Sequence, residues 1–206
     1  MAAPATLGLA EHSGWAVLVA LGGTPLQPVL LTRRRIELVH TRPARLPVQP
    51  FHASASLPAD EAADLVGRVR RAARRNARRE LARARDELAA RGHPVAGAAV
   101  AIHERDDRLP PLDRVLRSHP LLHAAEGELY RDCLAHAASG LGLAVTRYLP
   151  GGLTGRAAAA VGTTPEALQA HLRLLGRAVG PPWQKDQRVA ATAAWLAMAA
   201  PAGLRA

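Results

Sequence analysis

Three segments of mainly apolar character occupy the first forty residues of the chain and are separated by short turns. Residues 5–10 and 14–21 are mostly apolar, and residues 28–40 mix apolar side chains with arginines. Short runs of this kind, divided by turns that contain glycine and proline, predict three strands of an antiparallel meander. The proline-rich segment at 41–58 that follows is expected to form an irregular loop.

Beyond residue 58, stretches typical of helices alternate with short apolar stretches typical of strands. Helices are predicted at about 59–91, 118–139, 165–176 and 183–200, and strands at 95–103 and 143–149. The order βββ-α-β-α-β-α-α predicts an α/β fold with one mixed five-stranded sheet and helices on both faces. Because crossovers run through the helices, strands one, four and five are expected to be parallel, with the first strand central and beside the fourth. We expect residues 1–206 to form a single domain, with an arginine-rich helix at about 59–91 and a helical C-terminal end at about 165–200.

Length and apolar content exclude several classes of protein. The chain has 206 residues and is 49% hydrophobic, which is typical of a globular domain and not of a disordered chain. The early apolar run at 15–21 is too short to span a membrane, and Glu11 and His12 precede it instead of basic residues. We therefore expect no membrane segment, no signal peptide and a cytoplasmic location. The single cysteine, Cys133, excludes an intrachain disulfide and a cysteine-based zinc cluster.

The balance of charges is strongly positive. Lysine and arginine total 27 against 17 aspartates and glutamates, which gives a net charge of +10, and every basic residue except Lys185 is arginine. The scarcity of lysine is typical of a GC-rich coding sequence, but coding bias does not explain the excess of cations over anions. A positively charged domain attracts polyanions. Nucleic acid is therefore the first partner to consider, and a solvated basic surface without a partner is the alternative.

The predicted helix at 59–91 concentrates much of this charge. Nine arginines lie between positions 68 and 85, and small apolar residues occupy the opposite side of the helix. Guanidinium groups bind phosphates with two parallel hydrogen bonds, whereas aromatic residues, which would stack on bases, are only 3% of the chain. The candidates for contact with the backbone of duplex or branched nucleic acid are Arg71, Arg74, Arg75, Arg78 and Arg79. A solvated helix and a helix that binds an acidic partner protein are the alternatives.

Acidic and histidine side chains are predicted to meet at one edge of the sheet. Four segments deliver them: Glu11 directly after the first strand, Glu104 at the end of the fourth, His119, His123 and Glu126 on one face of the next helix, and Asp186 in the first turn of the last helix. In open α/β sheets, binding sites lie beyond the carboxyl ends of the parallel strands. Clustered carboxylates at that edge would suit hard divalent ions. Each residue also has an ordinary structural role open to it, as a helix cap, a packed side chain or a solvated charge.

Several short motifs occur in a characteristic order along the predicted strands and helices. They are Gly8-Leu9-Ala10-Glu11 followed by Gly14-Trp15-Ala16-Val17, then Tyr148-Leu149-Pro150, and the helix start Asp186-Gln187-Arg188-Val189-Ala190-Ala191. Together with the order of elements, they resemble the RNase H-like superfamily, and the RuvC-type Holliday-junction resolvases in particular. The resemblance implies a metal-dependent endonuclease that acts on structured nucleic acid.

The resemblance also implies roles for the residues at the sheet edge. Glu11, Asp186 and either Glu126 or Glu104 would hold Mg²⁺ or Mn²⁺, and His119 or His123 would donate a proton to the leaving oxygen. The chain departs from the family pattern at two points. The family has Asp where Glu11 or Ala10 stands, and Val189 occupies the place of the second acid of the last helix. A divergent nuclease and a non-catalytic binding or assembly protein therefore both stay open, as does a homodimer.

Overall fold

A five-stranded mixed sheet forms the centre of the protein in the computed structural model, which describes residues 4–40, 46–102 and 109–200. Its strands are β1 (Ala5–His12), β2 (Trp15–Thr24), β3 (Gln27–Glu37), β4 (Val95–Ala101) and β5 (Ala144–Tyr148). They lie in the order β3-β2-β1-β4-β5. Strand β2 pairs antiparallel with both β1 and β3, and β4 pairs parallel with both β1 and β5. The predicted meander, the parallel strands and the central position of the first strand are confirmed.

Helices connect and cover these strands. In the described ranges they are α1 (Pro50–Ser54), α2 (Ala59–Ala90), α3 (Leu112–Leu116), α4 (His119–Ser139), α5 (Leu153–Ala160), α6 (Pro165–Val179) and α7 (Lys185–Ala199). The helices predicted from periodicity correspond to α2, α4, α6 and α7. The expectation of a loop throughout 41–58 is wrong at α1, because Pro50 suits the first turn of a helix and Phe51 is buried beneath it. No helix of the described residues is long and apolar enough to cross a membrane.

The helices form a layer on each face of the sheet, as predicted. Helices α2 and α4 pack on one face, around a core that includes Leu7 and Leu9 of β1. Helices α5, α6 and α7 cover the other face, where they pack with Ala10 of β1. Because side chains alternate along a strand, the odd-numbered positions of β1 face α2 and α4, and the even-numbered positions face α7.

Helix α7 lies against β1 almost backbone to backbone. A Cβ atom at Gly8 would lie 1.8 Å from the carbonyl oxygen of Ala190. Thr6 donates a hydrogen bond from Oγ1 to the carbonyl oxygen of Ala194 at 2.7 Å. These two contacts make α7 antiparallel to β1, so the N-terminal turn of α7 lies beside the carboxyl end of β1. The fold thereby brings Asp186 to the edge at which the sequence predicts a site.

Candidate functional site

A cleft of about 710 Å³ opens at the carboxyl ends of β1, β4 and β5. The residues that matter for its chemistry are Ala10, Glu11, His12, Tyr148, Asp186 and Val189. The phenol of Tyr148 is buried, which raises its pKa, and its hydroxyl donates to the carbonyl oxygen of Leu9 at 3.0 Å. The cleft occupies the position at which open α/β sheets form binding sites, and both Glu11 and Asp186 line it.

Glu11 lies within β1, opposite Ala16 of β2, and not after the strand as the sequence predicts. Its position shares the face of Leu7 and Leu9, so its side chain meets α4. Arg131 of that helix donates from Nη1 to Glu11 Oε1 at 2.9 Å, and the two side chains are only 15% and 14% exposed. The guanidinium of Arg131 is one of the functional groups that sequence reasoning missed. A partly buried carboxylate next to a guanidinium is neutralised within the protein itself.

Gly127 makes room for this ion pair on α4. A Cβ atom at that position would lie 2.8 Å from Nη1 of Arg131 and 2.9 Å from its Nη2. The guanidinium therefore folds back over the glycine, one turn towards the N-terminus of the helix, which brings it to Glu11.

Asp186 has a different partner on the other side of β1. His12 Nε2 lies 3.1 Å from Asp186 Oδ2, and the imidazole of His12 stacks on the indole of Trp15 with ring centroids 4.0 Å apart. The guanidinium carbon of Arg35 lies 4.0 Å from the centroid of the same indole. No role at the site was predicted for His12, Trp15 or Arg35. The only available signal was the pair Glu11-His12, two polar residues at the end of an apolar strand.

Glu126 does not line the cleft. Its side chain is buried, with the residue 2% exposed, and Oε1 accepts hydrogen bonds from the backbone N–H groups of Phe51 at 2.9 Å and His52 at 3.1 Å. Burial raises the pKa of Glu126, and the bonds from α1 oppose that rise. The structure thus places this predicted metal ligand between α4 and α1, away from Asp186.

His119 and His123 occupy one face of α4, as their spacing predicts, but they also lie outside the residues that line the cleft. Their Nε2 atoms are 3.1 Å apart, and the ring of His52 approaches both. No observation among the described residues places either imidazole where a leaving oxygen would sit. The third histidine of the group, His52, was missed because it falls in the segment predicted as a loop.

Helix α2 has the amphipathic character that the sequence predicts. Its apolar side is buried, and the residues on that side are Ala62, Val66, Val69, Ala72, Ala73, Ala77, Leu81, Ala84 and Leu88. The five candidate arginines differ in their contacts. Arg74 pairs with Asp132 at 2.9 Å, Arg79 pairs with Glu80 at 3.4 Å, and Arg78 donates to the carbonyl oxygen of Gly140 at 2.9 Å. Arg71 and Arg75 are exposed and have no side-chain partner among the residues the structure describes.

Solved structures with a similar fold include two of RuvC from Thermus thermophilus. The structure described as T. thermophilus RuvC in complex with Holliday junction substrate aligns with a TM-score of 0.52 and 15% identity, over 94% of this chain and 92% of that chain. A second T. thermophilus RuvC structure gives a TM-score of 0.48 and 15% identity, over 94% and 93% of the two chains. The fold is therefore of the RNase H-like class. Within that class it is RuvC-like, which confirms the resemblance drawn from the sequence at the level of the fold.

No protein-family model matches the chain, and no curated protein sequence matches it. The assignment therefore depends on the fold and on the site geometry, and the chemistry must be argued from the residues present.

The resemblance to RuvC-type resolvases implies a site for Mg²⁺ or Mn²⁺, and the carboxylates of the cleft show whether the residues present could bind such ions. A two-ion site needs several carboxylate oxygens free to bind the metal. Glu11 is held by Arg131 and Asp186 by His12. Among the described residues, the acids that line the cleft are these two, and each already has a nitrogen partner. This set does not fit a two-ion site.

The positions around Asp186 lead to the same conclusion. On β1, Ala10 and His12 face the N-terminal end of α7, and α7 contributes Val189 to the cleft wall. Ala10 and Val189 have no atom that can bind a cation, and the imidazole of His12 is paired with Asp186. The remaining candidate, Glu104, lies in the range 103–108, which is outside the described residues.

Proposed function

We propose that this chain is a RuvC-like nucleic-acid-binding protein that contacts the backbone of duplex or branched nucleic acid and does not cleave it. The observation that carries the proposal is a line of exposed arginines on α2 that lack carboxylate partners among the described residues. The fold supports it, because the similar RuvC structure was solved with a Holliday junction substrate. The net charge of +10 supports it as well, since a polyanion is attracted to such a surface.

The arginine stripe consists of Arg71, Arg75 and Arg78, which follow one another at intervals of four and three residues. Residues at this spacing share one face of a helix. The stripe covers seven residues of rise, about 10 Å, which matches roughly three phosphates along one strand of a duplex. All three side chains are exposed, and none has a carboxylate partner among the described residues. The guanidinium groups of Arg71 and Arg75 are therefore free to bind phosphates, and Arg78 keeps further N–H donors besides the one that it gives to Gly140.

Three other arginines of α2 provide a contrast on the same helix, because each of them is paired with a carboxylate. Arg68 pairs with Asp64, Arg83 with Glu87, and Arg85 with Asp86. A guanidinium that already holds a carboxylate must give it up, at least in part, before it can hold a phosphate. The unpaired stripe is therefore the better candidate for the contact.

The cleft supports binding without cleavage. In a two-metal mechanism, ions held by carboxylates stabilise the attacking and leaving oxygens of the phosphodiester. Here Ala10 and Val189 stand at two of the positions from which acids would reach Asp186. Glu11 is turned towards Arg131 on α4. The described residues thus form a cleft that lacks the ligands for the two ions.

The test compares two triple variants with the same loss of charge. Arg71→Gln/Arg75→Gln/Arg78→Gln removes the stripe, and Arg68→Gln/Arg83→Gln/Arg85→Gln removes three paired arginines from the same helix. Binding to a fluorescent four-way DNA junction and to a linear duplex is measured by anisotropy across a salt series. We expect the slope of log K against log salt to fall by about 2.7 for the stripe variant, about 0.9 for each lost phosphate contact, and by less than one for the control.

Two results would contradict the proposal. If the wild-type chain binds neither DNA at low salt, the surface does not serve nucleic acid, and an acidic partner protein becomes the better explanation. If both variants lose the same slope, the effect is one of total charge and the stripe has no special role.

A further inference from the structure

The structure assigns a second site, distinct from the cleft: we propose that His52, His119 and His123 bind a zinc ion where α1 meets the start of α4. Each histidine offers one ring nitrogen, and these three nitrogens lie within 4.8 Å of one another. The site lies on the α4 side of the protein and shares no residue with the lining of the cleft.

The geometry of the pair on α4 is close to that of two zinc ligands. His119 and His123 are one helical turn apart, a spacing that lets both imidazoles reach one ion. Their Nε2 atoms lie 3.1 Å apart. Two nitrogens bound tetrahedrally to zinc, at about 2.0–2.1 Å each, would lie about 3.4 Å apart. Side chains at the surface can make that adjustment by small rotations.

His52 approaches from the other element and completes a set of three. Its ring centroid lies 4.7 Å from that of His123 and 5.8 Å from that of His119. Its Nδ1 lies 3.2 Å from Glu126 Oε1, which leaves Nε2 as the nitrogen free for a metal.

The buried carboxylate of Glu126 beside His52 distinguishes this group from a chance cluster of surface histidines. Its carboxylate is buried and is fixed by the backbone N–H groups of Phe51 and His52, so it holds the imidazole of His52 in one orientation. Its Oε2 has no hydrogen-bond partner in the part of the chain that the structure describes. Metal-bound histidines usually donate their second ring N–H to such a carboxylate, which makes the imidazole a stronger ligand. A buried carboxylate is costly to keep, and a cationic site behind His52 would offset that cost.

The donor set points to zinc in preference to the hard ions expected at the sheet edge. Imidazole nitrogens favour zinc and related transition metals, whereas Mg²⁺ and Mn²⁺ prefer oxygen. His119 and His123 are exposed, so a fourth position on the ion would face solvent, as in three-histidine zinc sites with a bound water. The ion would tie α1 to the N-terminal end of α4. The competing explanation is a plain hydrogen bond between the two neutral imidazoles of His119 and His123.

Metal binding by the full chain separates these explanations. The protein is treated with a chelator, dialysed and titrated with Zn²⁺ by calorimetry, and Co²⁺ is added separately to follow its visible absorption. The variant is His123→Ala, and the control is His136→Ala, an exposed histidine on the same helix outside the group. We expect about one Zn²⁺ per wild-type chain, the absorption of tetrahedral Co²⁺, and a melting temperature about 5–10 °C higher at a hundredfold excess over Kd. His136→Ala should behave as wild type, and His123→Ala should lose all three signals.

The positioning role of Glu126 has its own test. Glu126→Gln keeps the shape of the side chain but removes its charge, and we expect Zn²⁺ affinity to fall by about 10–100-fold while circular dichroism stays unchanged. The proposal is overturned if wild type binds no Zn²⁺, or if His123→Ala binds it as tightly as His136→Ala does. Neither outcome depends on nucleic-acid binding, so the two proposals fail separately.

Discussion

The ion pair between Glu11 and Arg131 determines whether Glu11 is available to bind a metal ion at the carboxyl ends of the strands. The carboxylate sits on the central strand with little exposure, and the guanidinium on α4 neutralises it at 2.9 Å. A carboxylate in such a place is costly unless it has a partner. An arginine partner satisfies it without a metal ion, and so removes the reason to expect one there.

This assignment predicts the sign of a stability change. Glu11→Gln leaves Arg131 partly buried without its anion, so we expect the free energy of unfolding to fall by about 1–3 kcal/mol in urea titrations. The control is Glu37→Gln, which removes an exposed carboxylate from its pair with Arg35 and should change stability by less than about 0.5 kcal/mol. If Glu11→Gln instead stabilises the chain, Glu11 is repelled by another anion, as in a cluster built to hold a cation.

The sequence could not reveal this ion pair. Glu11 and Arg131 are separated by 120 positions, and no local pattern links them. The sequence also did not show which face of the sheet the Glu11 side chain lies on, because that depends on whether the strand ends at residue 10 or 12. Since β1 continues to His12, the alternation of side chains turns Glu11 towards α4 and leaves Ala10 facing α7. Asp186 lines the cleft, and its role as a metal ligand stays a prediction.

At the scale of elements, the packing of α7 on β1 depends on one glycine. Gly8→Ala would place a Cβ atom 1.8 Å from the backbone oxygen of Ala190, and a backbone atom cannot rotate away. We expect a loss of about 3 kcal/mol in the free energy of unfolding. The matched control is Gly155→Ala, since a Cβ there meets no atom within 4 Å and better helix propensity should stabilise α5 by about 0.5–1 kcal/mol. Equal effects of the two substitutions would show that α7 does not pack closely on β1.

The long helices and the meander were predictable from the sequence, whereas the short helices were not. The meander, α2 and α4 carry many residues of one periodicity, so their type follows from the spacing of apolar positions. Helices α1 and α3 have five residues each, too few for a period to show. The same limit hid the three-histidine group, because His52 lies in α1 and meets His119 and His123 only when α1 packs on α4.

At the scale of the whole molecule, the two faces of the sheet carry different candidate sites. The α2 and α4 face carries the arginine stripe and the histidine group, whereas the α7 face meets the strand ends at the cleft. The chain thus has the sheet and helices of a RuvC-like fold, but the described residues of the cleft lack the ligands of a two-ion site. On the basis of this combination we propose binding without cleavage.

One experiment measures both parts of that claim on the same sample. End-labelled four-way DNA junction is incubated with excess protein in low salt and Mg²⁺, and each sample is divided between a native gel and a denaturing gel. The account predicts that the native gel shows a full shift of the junction, while the denaturing gel shows every strand intact. No shift would contradict the binding surface, and cut strands that disappear with Asp186→Asn would contradict the loss of cleavage.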